Sequence, residues 1–236
     1  MKKIAALIIL FTLSLDSIAQ SGTNMFGKDP IIHLENFQKQ RVYFGYYLGF
    51  NTFDFKIDYK DVQPIDVAVK KTTGFNVGIV ADLKLQEYIN LRFEPGLYYA
   101  KRDLTFPGFI NEAEALREVS STYIHFPLLL KFSALRTGNI RPYLVGGISS
   151  TLNLSSNSKS KDDNNEQKFR VKPWTSSYEV GFGIDIFSQY FIFSPSIRGL
   201  FGLKDELIRD NDPNSPWTGN IDSMKSRAIL INFTFH

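Results

Sequence analysis

"GFNVGIVADLKL", residues 74–85, alternates apolar and polar side chains almost without a break. In an extended chain Phe75, Val77, Ile79, Ala81, Leu83 and Leu85 share one face. Asn76, Gly78, Asp82 and Lys84 share the other, and Val80 is the one interruption. A period of two reads as a β-strand with unlike faces. Seven further segments repeat it: 42–51, 89–102, 123–132, 140–153, 177–186, 191–199 and 228–235. In each, a row of large apolar residues stands opposite a row of Gly, Tyr, Ser, Asn and charge. The polar rows carry Asp82, Lys84, Arg92, Glu94, Lys131, Arg141, Glu179, Asp185 and Arg198.

Either face could be the inner one. Were the apolar rows the core, the charges would simply meet water, as in a soluble two-sheet protein. Three features favour the opposite arrangement. The apolar rows run for five or six positions on several strands, as the lipid-facing band of an outer-membrane barrel requires. The opposite rows are rich in Gly and Tyr, which suits a narrow lumen. The connections are also sorted by length: three short ones (86–88, 133–139, 187–190) alternate with four long polar ones (54–73, 103–121, 155–175, 203–226). Eight strands that start and end on the periplasmic side need three short turns and four long outer loops. The expected fold is therefore all-β, an eight-stranded antiparallel transmembrane β-barrel spanning 42–236.

The N-terminus agrees with export. Lys2 and Lys3 precede an apolar run from Ile4 to Leu15, too short for a spanning helix of about 20 residues. Ser17 and Ala19 place small residues at −3 and −1 of a cleavage site, so 1–19 reads as a signal peptide. No second long apolar run follows. The chain has no cysteine, which excludes a disulfide framework, thiolate metal sites and a Cys nucleophile. Its net charge of +3, about +2 without Lys2, Lys3 and Asp16, gives no footprint for nucleic acid.

Inward charges in so narrow a barrel need partners, because there is little room for water. The expectation is a buried network joining Asp82, Glu94, Glu179 and Asp185 to Lys84, Arg92, Lys131, Arg141 and Arg198, with pairing to trapped water as the alternative. A one-residue slip would turn all of these charges to lipid together, so register is strongly specified.

Motifs for chemistry are sparse. His33, His125 and His236 lack metal-ligand spacing, and His125 reads as a hydrogen-bonded structural residue. The glycines of "GFGID" and "LVGGIS" lie inside strands, not in a phosphate loop. No catalytic residue, metal site, cofactor or small-molecule substrate is indicated. A lipid-modifying barrel enzyme remains an open alternative. Residues 20–41 form a periplasmic segment, either a loose leader or a docking segment or plug. The chain ends "NFTFH", an aromatic barrel terminus displaced by one residue.

These stretches also resemble the PorT (SprT) family of the type IX secretion system of Bacteroidota. The similar segments are "LENF" (34–37), "FGYYLGFNTFDF" (44–55), "GFNVGIVADLKL", "INLRFEPGL" (89–97), "STYIHFPLLLKF" (121–132), "RPYLVGG" (141–147), "YEVGFGIDIF" (178–187) and "FSPSIRGLFGL" (193–203). The resemblance implies a non-enzymatic outer-membrane component needed for moving folded cargo proteins across the outer membrane, and in some species for gliding motility. It implies other secretion-system proteins as partners, beside outer-membrane lipid. It supplies no catalytic residues. An eight-stranded barrel is too narrow to pass folded cargo, so the implied role is accessory. The alternative at the same location is a small adhesin- or porin-like barrel acting through its outer loops.

Overall fold

The computed structural model describes residues 32–61, 66–158, 160, 164–166 and 168–236. Residues 1–31, with the expected signal peptide (1–19), lie outside the described residues. The described chain forms ten strands: β1 (Val42–Tyr59), β2 (Ala68–Lys71), β3 (Thr73–Lys84), β4 (Ile89–Phe93), β5 (Gly96–Thr105), β6 (Leu116–Ser133), β7 (Ile140–Asn153), β8 (Trp174–Phe187), β9 (Ile192–Gly202) and β10 (Ile221–Phe235). A 3₁₀ turn at Phe37–Lys39 precedes them, and a short helix α1 (Glu112–Ala115) sits between β5 and β6. No helix among the described residues is long and apolar enough to cross a membrane.

The ten strands make eight staves. β4 and β5 are one stave broken at Glu94–Pro95. Pro95 has no N–H to give to a ladder, but its carbonyl accepts from Ile79 N at 3.1 Å and holds the break in the wall. β2 and β3 lie end to end on either side of Thr72, and both pair with β5. Every pairing is antiparallel. The ring runs β1–β3–(β4, β5)–β6–β7–β8–β9–β10 and closes where β10 pairs β1, with Phe235 opposite Tyr46 and Asn232 opposite Gly49. The three tight turns are at one end with both ends of the barrel chain, and the four long connections are at the other.

The apolar rows point outward. Ile79 is 64% exposed, whereas Val80 beside it is 1% exposed. Phe44, Leu48, Phe75, Leu97, Leu144, Val180, Phe182, Ile197 and Ile229 stand on the same outer surface. Tyr46 stacks on Phe235 and Phe193 on Phe233 near the short-turn end, and Phe75 stacks on Tyr99 and Tyr178 on Phe201 towards the other. Such flanking aromatics are the girdles expected at the two interfaces of a barrel's apolar band.

Several strands are longer than the sequence reading places them. β1 continues to Tyr59, β6 begins at Leu116 and β10 at Ile221, so the long connections shrink to 60–67, 106–115, 154–173 and 203–220. The reason is a reversal of polarity along the strands. In β1 the inward row changes from Tyr47, Gly49 and Asn51 to Phe53 and Phe55, while the outward row changes from Leu48 and Phe50 to Thr52, Asp54 and Lys56. β5 does the same: Leu104 points in while Lys101, Asp103 and Thr105 point out. Below the reversal the wall faces lipid, and above it the wall faces water. The extension is closed by its own apolar core of Phe55, Leu104, Phe169, Leu207, Trp217 and Met224, with further contributions from the long loops.

Candidate functional site: the charged lumen

Parity along the strands sends alternate residues into a lumen too narrow for side chains on every stave. Glycine provides the space. A Cβ on Gly96 would lie 2.1 Å from the Tyr47 hydroxyl, and one on Gly183 would lie 2.4 Å from that of Tyr143. Inward glycine and inward tyrosine thus share a level, each ring filling the room its neighbours leave.

Charge fills the lower half. Asp82 Oδ2 meets Arg92 Nη2 at 2.7 Å and Nε at 2.8 Å. Arg92 Nη1 reaches Glu94 Oε1 at 3.2 Å. Arg198 stands between Glu94 Oε2, at 2.7 Å, and Glu179 Oε2, at 3.4 Å. Glu179 Oε1 continues to His125 Nε2 at 2.7 Å, and His125 Nδ1 to Thr151 Oγ1 at 2.8 Å. One connected chain of groups therefore crosses the barrel from β3 to β7. None of the three Arg198 guanidinium nitrogens makes a hydrogen bond among the described residues, so it acts as a placed cation between two carboxylates.

A second cluster lies nearer the short-turn end. Asp185 accepts from Lys131 Nζ with both oxygens at 2.8 Å, from Arg141 Nη2 at 2.9 Å and from Ser194 Oγ at 2.7 Å. The Tyr143 ring joins the clusters, with Lys131 Nζ 4.1 Å and Arg92 Cζ 5.6 Å from its centroid. Asp82, Glu94, Glu179 and Asp185 are balanced by Arg92, Lys131, Arg141 and Arg198, and all but Arg141 are at most 2% exposed. Isolated charges at such burial are strongly unfavourable, and mutual pairing is what makes them tolerable.

Of the nine charges expected in the lumen, eight enter these two clusters. Lys84 is half-buried at the short-turn mouth, where it lines a cavity of about 10 Å³ with Phe37, Tyr43, Asn90 and His236. That volume is about one water. The reading of His125 as a hydrogen-bonded structural residue holds, since it bridges Glu179 and Thr151. Sequence reasoning missed the neutral members Asn90, bonding both Asp82 and Tyr43, and Ser194, on Asp185. Their inward parity was the available signal. His236 turns inward too. Its ring packs edge-on to Tyr43 at 5.3 Å, and its backbone N–H and carbonyl pair with Ile192. This places Phe235 on the outer face and accounts for the displaced terminal aromatic.

Among the described residues, side chains and backbone pack across both mouths. At the short-turn end Phe37 packs on Tyr43 at 5.0 Å, His33 N donates to Asn139 Oδ1 at 3.0 Å, and Arg136 donates to the His33 carbonyl at 2.5 Å. The described part of the N-terminal segment, 32–41, is thus docked against the mouth. Above the charged clusters come an asparagine layer, where Asn76 donates to Asn232 at 2.7 Å, and then Arg102, whose guanidinium lies 3.8 Å over the Phe55 ring. The apolar cap follows, and within it burial pushes the Glu206 carboxyl above the ordinary carboxylate range. No metal-binding group of three or more His, Asp or Glu side chains occurs among the described residues.

The family model for the outer membrane protein β-barrel domain matches residues 19–207. The chain belongs to this family. Its members' barrel architecture and the closed eight-stave ring place the protein in the outer membrane, with the tight turns and both barrel termini towards the periplasm and the cap outside. The match ends before β10, the strand that closes this family member's ring. No curated protein matches the sequence. Among solved structures the chain is similar to the outer membrane protein OprG of Pseudomonas aeruginosa, with 13% identity over 81% of this chain and 94% of that one at a TM-score of 0.47. It is also similar to Neisserial surface protein A, with 9% identity, 80% and 95% coverage and a TM-score of 0.44. A third is Ail, the attachment invasion locus protein of Yersinia pestis, with 11% identity, 81% and 96% coverage and a TM-score of 0.35. The likeness is one of fold alone.

Proposed function

We propose that this barrel is a non-enzymatic accessory or assembly component of type IX protein secretion, acting by holding other proteins at the outer membrane. The observation that carries an accessory role is the filled interior. Among the described residues, docked residues 32–41, two ion-pair clusters, an asparagine layer and an apolar cap follow one another along the barrel from the short-turn mouth to the outer end. A barrel filled in this way works through its surfaces. The type IX assignment rests on the PorT-like stretches between 34 and 203, and it names other secretion-system proteins as partners and gliding motility as an associated process in species that glide. The well-packed extracellular cap favours one second reading, an adhesin that presents its outer loops. The filled lumen speaks against the porin-like form of that alternative.

Deleting the gene in its host separates the readings. The proposal expects cargo of the type IX route to accumulate in the periplasm and secretion to return on complementation. Normal secretion with lost surface attachment contradicts it in favour of the adhesin. Normal secretion with altered lipid A contradicts it in favour of a lipid-modifying enzyme.

A further inference from the structure

Where β1 meets β10, the outer face of the wall changes from apolar to charged, and the charge there is not balanced. Across the ladder Asp54 faces Arg227, Lys56 faces Lys225 and Asp58 faces Ser223. Asp54 is buried, and its Oδ2 takes Arg227 Nη2 at 2.7 Å, Arg227 Nε at 2.8 Å and Lys71 Nζ at 2.9 Å. One carboxylate thus gathers two cations whose side chains remain exposed. Lys56 reaches Asp58 at 3.4 Å, yet it stands directly opposite Lys225, an arrangement in which like charges repel. Four cations, Lys56, Lys71, Lys225 and Arg227, stand here against two carboxylates.

Neighbouring staves do not share this excess. On β5 and β6 Lys101 is answered by Glu118 at 3.0 Å and Asp103 at 3.8 Å. On β7, β8 and β9 the outward positions Ser150, Ser176, Tyr178 and Phe201 carry no charge. An open groove of about 430 Å³ joins Lys71, Asp54 and Arg227 to the apolar Phe201 and Ile229. Ile229 lies two residues deeper in the membrane on β10 than Arg227, and it faces Gly199. Gly199 has no side chain to raise the floor, and the Phe201 ring leans over it, so that a Cβ there would come within 2.9 Å of the ring. The cations form the outer lip of the groove, and Phe201 and Ile229 form its floor on the hydrocarbon side.

We propose that this groove binds a phosphorylated lipid of the outer leaflet, a glycolipid of the lipid A class, with a phosphate against Arg227 and Lys71 and an acyl chain over Phe201 and Ile229. Position names the occupant. The groove lies on the outward face at the level where the wall passes from lipid to water, so membrane lipid is what covers it. Its cationic lip and apolar floor follow one another in the order of a lipid's headgroup and tail. Basic side chains at a membrane surface attract anionic headgroups, and a guanidinium meets phosphate through directed, charge-assisted N–H bonds. A phosphate at the lip also offsets the repulsion between Lys56 and Lys225. The site rests on the barrel's placement in the membrane and is independent of the secretion reading.

Native mass spectrometry of the full-length mature protein, released from dodecyl maltoside micelles, tests it with three probes: lipid A, lipid A stripped of its phosphates, and inorganic phosphate. One lipid A is expected to stay bound, and the dephosphorylated form to bind at least about tenfold more weakly, as the loss of a charge-assisted hydrogen bond implies. Inorganic phosphate at equal concentration should not displace the lipid. The triple variant Asp54→Asn, Lys71→Gln, Arg227→Gln removes the cluster without leaving an unpaired charge. It should keep its heat-modifiable gel mobility and bind lipid A at least about fivefold more weakly. Lys101→Gln, in the cluster on β5 and β6, should bind as the unaltered protein does. Should the triple variant not fold, Lys56→Gln with Lys225→Gln carries the test, with a loss of similar size expected. Equal binding of the two lipid forms, unchanged binding in the folded variant, an equal loss in Lys101→Gln, or displacement by inorganic phosphate at equal concentration would each overturn the site.

Discussion

Arg198 places a full positive charge between two carboxylates without a hydrogen bond from its guanidinium, in a position 2% exposed. Its removal leaves Glu94 with Arg92 alone and Glu179 with His125 alone, two buried carboxylates without the cation between them. Breaking one partner of a buried ion network destabilises by about 3–5 kcal/mol, and Arg198→Met is expected to lower unfolding free energy by that amount in urea titrations read by gel mobility. The double variant Arg198→Met, Glu179→Gln should recover part of the loss, because three carboxylates then face three cations and Glu94 keeps its pairing with Arg92. Full stability in the single variant would show that the charges are solvated. At this scale parity alone put the charges on the inner face. It could not say that Arg198 on β9 meets Glu94 at the β4–β5 break, since those groups become neighbours only when the sheet closes on itself. The partners of His125 were equally invisible, because Glu179 and Thr151 sit on other staves.

Along a single strand the same period of two serves two solvents. β1 is apolar outward as far as Phe50 and apolar inward from Phe53. The alternation persists through "FDFKIDY", but its polarity reverses where lipid gives way to water. A reading that required the apolar row to stay on one face stopped at Asn51, and this is why the strand ends were placed too early and the loops too long. The reversal fixes the depth at which a charge can be tolerated. Ile79→Lys, on the lipid face in mid-wall, should cost about 2–4 kcal/mol. Thr105→Lys, outward on β5 above the reversal, should stay within about 0.5 kcal/mol of the unaltered protein. Unfolding titrations in lipid vesicles measure both, and equal penalties at the two positions would remove the boundary. The break at Glu94–Pro95 was legible as a proline in a strand pattern, but its repair by the Ile79 amide required the neighbouring stave.

For the whole molecule the decisive property is that inside and outside have exchanged their usual roles and the inside is full. The hydrocarbon side chains that would form a soluble core face lipid, and the lumen holds balanced charge below and an apolar plug above. The proposed accessory role depends on that filling. Planar-bilayer recording on the purified mature protein is the most direct test. The filled barrel predicts no stepwise ionic conductance from the unaltered protein under moderate voltage, in preparations whose gel mobility shows a folded barrel. Stable, reproducible single-channel steps from the same preparations would mean that an open path runs through the lumen, and the account given above would be contradicted.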